Sequence, residues 1–351
     1  MRSGMMVGAV GTVVALLAGT AVEAASFDEV ADFYRGKQLR LIIGFDSGGS
    51  YDVYARTVAR HMEKYIPGNP HVIAQNMPGA GTRKAANYLA TIAPRDGSVI
   101  GTIAQGAPMD ELMKQEGVQF ESAKFGWIGN PIVDNNVTIV RSDTGLVTLE
   151  DALEKGGLIC GGTTVTTPSI TFPRILNNML GANIKIVPGY TTTGASFALA
   201  MERGETNCSG GNSWEGNKLA FVRSFEERRI NVLVQWGPEK NAEVSAYARR
   251  EVPLIVDYAK TDADRSVLGL VNSGVALGRP LFTPPAVPPE RLAALRAAFD
   301  RTMSDPAFLF EMQKFKLAVR PLAGERLQRI VEDVIASPEA VIRRANELMA
   351  Q

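Results

Sequence analysis

The chain has 351 residues, and its 37 basic and 37 acidic side chains leave a formal net charge of zero. No basic excess exists to neutralise phosphates, which argues against a nucleic-acid partner, while 45% hydrophobic and 21% charged residues place the chain among globular rather than disordered proteins. The length suits about two domains, and two His with two Cys are too few for a multi-ligand zinc site, so no metal and no cofactor is expected.

The N-terminus reads as an export signal. Arg2 supplies a short positive region, Met5 to Ala18 is almost unbroken apolar sequence, and Val22-Glu23-Ala24 offers a cleavage site after Ala24. The apolar run is short for a membrane span, and no later segment approaches that length. Export would place Cys160 and Cys208 in an oxidising compartment. Both lie beside Gly-rich stretches, and the residues leave open whether they pair or remain buried thiols.

Beyond residue 25 strand-like and helix-like segments alternate. Leu39 to Phe45 reads as a buried strand, and Gly48-Gly49-Ser50 opens a helix whose apolar positions recur at helical spacing as far as Met62. Pro67-Gly68-Asn69-Pro70 stops it. A second strand from His71, a helix from Thr82 to Ile92 and a third strand from Ser98 to Ala104 complete the pattern. The middle of the chain repeats it, with strands at Leu158 to Cys160, Ile184 to Val187 and Ile230 to Trp236. From Pro284 the chain reads as mainly helical, with starts at Pro289-Glu290, Asp305-Pro306 and Pro338-Glu339. Such alternation implies parallel sheets covered by helices on both faces, in two α/β lobes with a cleft between them.

The loops that follow the strands carry the chemistry. Asp46-Ser47-Gly48-Gly49-Ser50-Tyr51-Asp52 joins a strand end to a helix start, where ligands of open α/β sheets bind and free N–H groups favour an anion. Gly161-Gly162-Thr163-Thr164 and Gly189-Tyr190-Thr191-Thr192 repeat that arrangement with hydroxyls. Pro78-Gly79-Ala80-Gly81 lacks both the third glycine of a dinucleotide fingerprint and the spacing of a phosphate loop. No Gly-x-Ser-x-Gly elbow exists and Cys160 has no evident His partner, so the chain does not read as an enzyme.

In combination these segments resemble the Bug-type extracytoplasmic solute receptors of tripartite tricarboxylate transporters. The resemblance is carried by Phe33-Tyr34-Arg35-Gly36-Lys37 running into the first strand, Gly48-Gly49-Ser50-Tyr51-Asp52, Gln75-Asn76-Met77-Pro78-Gly79-Ala80-Gly81, Pro94-Arg95-Asp96-Gly97, Val187-Pro188-Gly189-Tyr190 and the C-terminal Pro284 to Leu292 and Ser304-Asp305-Pro306. It covers nearly the whole chain after residue 25. It departs from the family pattern at Asp46, where Pro is usual, and in Ser209-Gly210-Gly211-Asn212-Ser213-Trp214, whose Asn212 and Trp214 would favour a monocarboxylate with an apolar or aromatic body.

The resemblance implies a periplasmic-binding-protein-like α/β fold, closing like a Venus flytrap on a hinge that the chain crosses near Gly126–Pro131 and Trp236–Asn241. Residues 25–128 and 239–351 would form lobe 1 and residues 129–238 lobe 2. It implies a periplasmic monomer that binds a small organic carboxylate and delivers it to integral membrane permease subunits; a ligand-sensing adaptor for a membrane sensor kinase is the alternative. Carried over position by position, ligand contacts fall on Asp46, Ser47, Gly48, Gly49, Ser50, Asp52, Ala104 and Gln105 in lobe 1. In lobe 2 they fall on Gly161, Thr163, Thr164, Tyr190, Thr192, Asn212 and Trp214.

Overall fold

The computed structural model describes residues 28–163, 167–190 and 194–350. The expected signal segment lies outside the described residues, as do Thr164 and Thr192. Two mixed sheets organise the chain. The first has six strands in the order β11-β4-β10-β3-β1-β2, formed by β1 Gln38–Ile43, β2 His71–Asn76, β3 Val99–Thr102, β4 Gly126–Asn130, β10 Leu281–Thr283 and β11 Leu322–Ala323. The second has five strands in the order β7-β6-β8-β5-β9, formed by β5 Asn136–Arg141, β6 Ile159–Gly161, β7 Lys185–Val187, β8 Cys208–Ser213 and β9 Ile230–Trp236.

The strands legible in the sequence include the parallel ones, β1 with β2 and β3, and β6 with β7. β1 and β3 are short apolar runs between turn signals, as strands buried on both faces must be, whereas the outer strands β2 and β7 are partly exposed. β1 shows why. Leu39, Leu41 and Ile43 enter one apolar cluster with the helix Ser50–Met62, while Ile42 enters another with the helix Arg83–Thr91. The sheets are not purely parallel as expected, because β10 and β5 run antiparallel to their neighbours. β5 is the first strand after the chain enters the second sheet, and β10 is the first after it returns.

The chain leaves the first sheet after Asn130 and enters the second at Asn136; it next adds a strand to the first sheet at Leu281. The stretch 239–351 does not pack wholly on the first sheet, as the sequence suggested. The helices Asp262–Ala276 and Glu339–Met349 place Val267, Val271, Ala345 and Leu348 in the apolar cluster of the second sheet. Their apolar stripes are long enough to be buried by either sheet, so periodicity could not assign them.

Cys160 on β6 and Cys208 on β8 are direct partners in the parallel ladder, with Cα atoms 4.3 Å apart, and form a disulfide. The Gly-rich stretch after Cys208 continues the strand β8 as far as Ser213. It is a strand because its glycines let the helix Pro168–Ile175 lie directly upon it: a Cβ at Gly210 would sit 2.2 Å from Pro173 Cγ, and one at Gly211 would sit 2.3 Å from the Pro168 carbonyl oxygen. Among the described residues no helix is long and apolar enough to cross a membrane.

Candidate functional site

A cleft of about 410 Å³ opens between the two sheets. From the first sheet it is lined by Ser47 to Tyr51 after β1, by Gly81 and Thr82, and by Ala104 and Gln105 after β3. From the second it is lined by Thr163, Thr167 to Ser169, Gly211 to Ser213 and Asn136. These are strand ends and the loops beyond them, the place where this class of sheet presents free backbone donors.

The first loop is held rigidly. Gly48 has φ +88°, a left-handed conformation that glycine adopts without strain. Asp52 accepts hydrogen bonds from Gly48 N at 3.0 Å, Arg56 Nε at 2.8 Å and Asn76 Nδ2 at 2.8 Å. Asn76 Nδ2 also donates to the Phe45 carbonyl at 2.9 Å. Burial alone would raise the Asp52 pKa, but the donors from Gly48, Asn76 and Arg56 outweigh it and hold the carboxyl below its ordinary range. The Phe45 ring stacks on Tyr51 at 3.9 Å, and the Tyr51 hydroxyl donates to Gly278 O at 2.9 Å and accepts from Gln105 N at 3.2 Å.

On the opposite wall Thr163 Oγ1 lies 2.7 Å from Thr167 Oγ1, which lies 2.9 Å from Ser169 Oγ. Asn136, at the start of β5, bridges the walls: its Oδ1 accepts from Gln105 Nε2 at 3.2 Å and its Nδ2 donates to Gly211 O at 2.6 Å.

The floor is Arg279, only 3% exposed and the one charged residue among the described residues lining the cleft. Its guanidinium donates to Ser50 Oγ at 3.2 Å and to Ser213 Oγ at 2.6 Å, one serine from each wall. It faces the Asp134 carboxylate at 3.6 Å and the Tyr54 ring at 4.9 Å. Burial pushes Asp134 up to about 6 against the lowering effect of Arg279, and the neighbouring Glu215 carboxylate adds to the rise. A permanently charged guanidinium under a ring of hydroxyls and backbone donors is a site for an oxyanion.

No family model matches the chain. A Cupriavidus necator protein described as "UPF0065 protein in gbd 5'region" is 21% identical over 327 residues, which is 92% of this chain and 91% of that protein. An R. palustris protein solved with adipate is 18% identical and covers 89% of this chain and 98% of its own, with a TM-score of 0.67. The periplasmic binding protein BugD is 16% identical over 89% of this chain and 99% of its own, with a TM-score of 0.66. MatC from Rhodopseudomonas palustris, solved with bound malate, is 18% identical over 90% of this chain and 99% of its own, with a TM-score of 0.65.

The fold is that of a Bug-type periplasmic binding protein.

Within that binding-protein fold the structure brings Ser47, Gly48, Gly49, Ser50, Ala104, Gln105, Thr163 and Asn212 together around the cleft. Other residues named from the sequence are placed elsewhere. Asp52 is buried behind the first loop with its carboxylate saturated, so it positions that loop. Asp46 stands beside the lining residues but is not one of them. Gly161 ends β6 under the Tyr190 ring, where a Cβ would come within 3.0 Å, and Tyr190 packs on Phe197, which does line the cleft. Trp214 is a core residue: its ring is 1% exposed and lies 5.1 Å from Phe225 and 5.6 Å from Tyr247. Ser213 caps the helix that begins at Trp214, and this turn sends the indole inward.

Sequence reasoning missed Arg279. It stands in Leu277-Gly278-Arg279-Pro280, a short polar interruption between an apolar helix and an apolar strand. An arginine in a Gly–Pro turn next to buried segments was the available signal.

Proposed function

We propose that this protein is a receptor that captures a small organic carboxylate between its two lobes in the periplasm and delivers it to a membrane permease of the tripartite tricarboxylate type. The observation that carries the reading is Arg279, buried at the floor of the cleft and hydrogen-bonded to a serine from each wall. Similar folds solved with adipate and with malate support the carboxylate class. A receptor needs no tuned base; it needs a ligand that binds the closed state better than the open one.

The test is thermal unfolding of the exported chain with a panel of mono-, di- and tricarboxylates. A ligand at 100 times its Kd adds about 2.7 kcal/mol to stability, a visible rise in Tm. Stabilisation by a carboxylate supports the reading, and a flat response across the panel overturns it. Co-purification from membranes tests the permease, and the mass of the exported chain tests cleavage after Ala24.

A further inference from the structure

We propose that the cleft is built for a solute with one carboxylate and an apolar body, and that Ser50 and Ser213 hold that carboxylate as donors made obligate by Arg279. This rests on the receptor reading above and narrows its substrate class.

Lone pairs carry the first half. Ser213 Oγ accepts from Gly216 N at 3.1 Å and from Arg279 Nη2 at 2.6 Å. A hydroxyl oxygen has two acceptor sites, so both are filled and its proton is left to donate. Ser50 Oγ accepts from Arg279 Nη2 at 3.2 Å and from Nε at 3.4 Å. Among the described residues neither serine proton has an acceptor, and both hydroxyls line the cleft. Arg279 does not lose its own proton at any working pH, so the two serines remain donors throughout. An oxyanion seated between them takes a hydrogen bond from each wall, with the Arg279 guanidinium, paired to Asp134 at 3.6 Å, beneath. Occupancy therefore ties the walls together through the ligand itself.

Charge and polarity carry the second half. Arg279 is the one charged residue among the described residues lining the cleft. Away from it the walls present the Phe45–Tyr51 stack, Phe197, Leu219 and Ala220, interspersed with the neutral side chains of Asn136, Thr163, Thr167, Ser169 and Asn212. A second carboxylate laid on that surface would lose its hydration without gaining a cation. An alkyl or aryl body loses nothing there and gains burial.

The experiment is calorimetric titration of two matched pairs, hexanoate against adipate and phenylacetate against 1,4-phenylenediacetate. The wild type should bind at least one monocarboxylate ten times or more tightly than its dicarboxylate counterpart. Ser50→Ala and Ser213→Ala should each weaken that monocarboxylate about tenfold, the scale of one hydrogen bond to a charged group. Ser213→Thr, which keeps hydroxyl and helix cap, should hold affinity within about threefold. Dicarboxylates binding as well as or better than their counterparts overturn the single-carboxylate assignment. Unchanged affinity in both alanine variants overturns the donor pair. If neither class binds to natively folded protein, the carboxylate-receptor reading itself falls, a result distinct from the other two.

Discussion

Asp52 and Asp134 are buried carboxyls whose surroundings push them in opposite directions, and pH separates their effects. Asp52 has its folded pKa lowered, through donors that outweigh burial. Its stabilisation is full above the ordinary carboxylate range and is lost as pH falls through the lowered value. Asp52→Ala strips the partner from Gly48 N–H, Asn76 and Arg56 together. Urea unfolding at pH 7 should show a loss of about 2–3 kcal/mol, because donors are left unsatisfied in a buried setting. Asp134 has its folded pKa raised to about 6 by burial, with Glu215 adding to the rise and Arg279 and Arg320 opposing it. A raised acid stabilises the native state below its unfolded pKa and loses that contribution as pH rises through about 6. Protonated Asp134 no longer neutralises Arg279, so carboxylate affinity should rise between pH 7.5 and 5.5. Titration calorimetry at the two values, with Asp134→Asn as the variant, checks this: the variant should bind at pH 7.5 as the wild type binds at pH 5.5 and show a flat profile.

At the scale of elements, β8 shows how a strand can hide in a sequence. Ser209-Gly210-Gly211-Asn212-Ser213 lacks the branched residues that mark β6 and β9, and its glycines have the look of a turn. What makes it a strand is not its own propensity but β5 and β6 on either side and a helix pressed on its face. Gly211→Ala would drive a methyl into the Pro168 backbone, at 2.3 Å, with no flexible side chain to yield. The expected cost is about 1–3 kcal/mol in urea unfolding, with carboxylate affinity also reduced because Pro168 and Asn212 line the cleft. The same element holds the disulfide. Cys160 and Cys208 close a loop of 48 residues. Replacing both with Ala should cost on the order of 4 kcal/mol by the chain-entropy estimate. Because the bond lies in the core rather than in the cleft, ligand affinity should be retained in the fraction that remains folded.

For the whole molecule, hydrogen bonds tie the two sheets and their flanking segments together. Gln105 reaches Asn136, Arg279 reaches Ser213, and Glu215 accepts from Ala318 N at 3.2 Å. Much of the frame was legible in the sequence. Apolar runs between turn signals marked β1 and β3 and the loops beyond them, because a strand buried on both faces leaves a local signature that needs no partner to be seen. That is also why Ser47, Gly48, Gly49, Ser50, Ala104 and Gln105, which line the cleft, were legible as residues of loops beyond strand ends. What the tertiary structure alone decided was which side chains meet. Arg279 is 229 residues from Ser50 and 66 from Ser213, yet donates to both. Trp214, a neighbour of cleft residues in sequence, turns into the core, and the helix Glu339–Met349 joins the second sheet although the chain had returned to the first. Periodicity reports that a face will be buried; it carries no information on what buries it. The charge at the floor of the cleft is set by contacts between segments far apart in the chain, and only the folded molecule brings them within hydrogen-bonding distance.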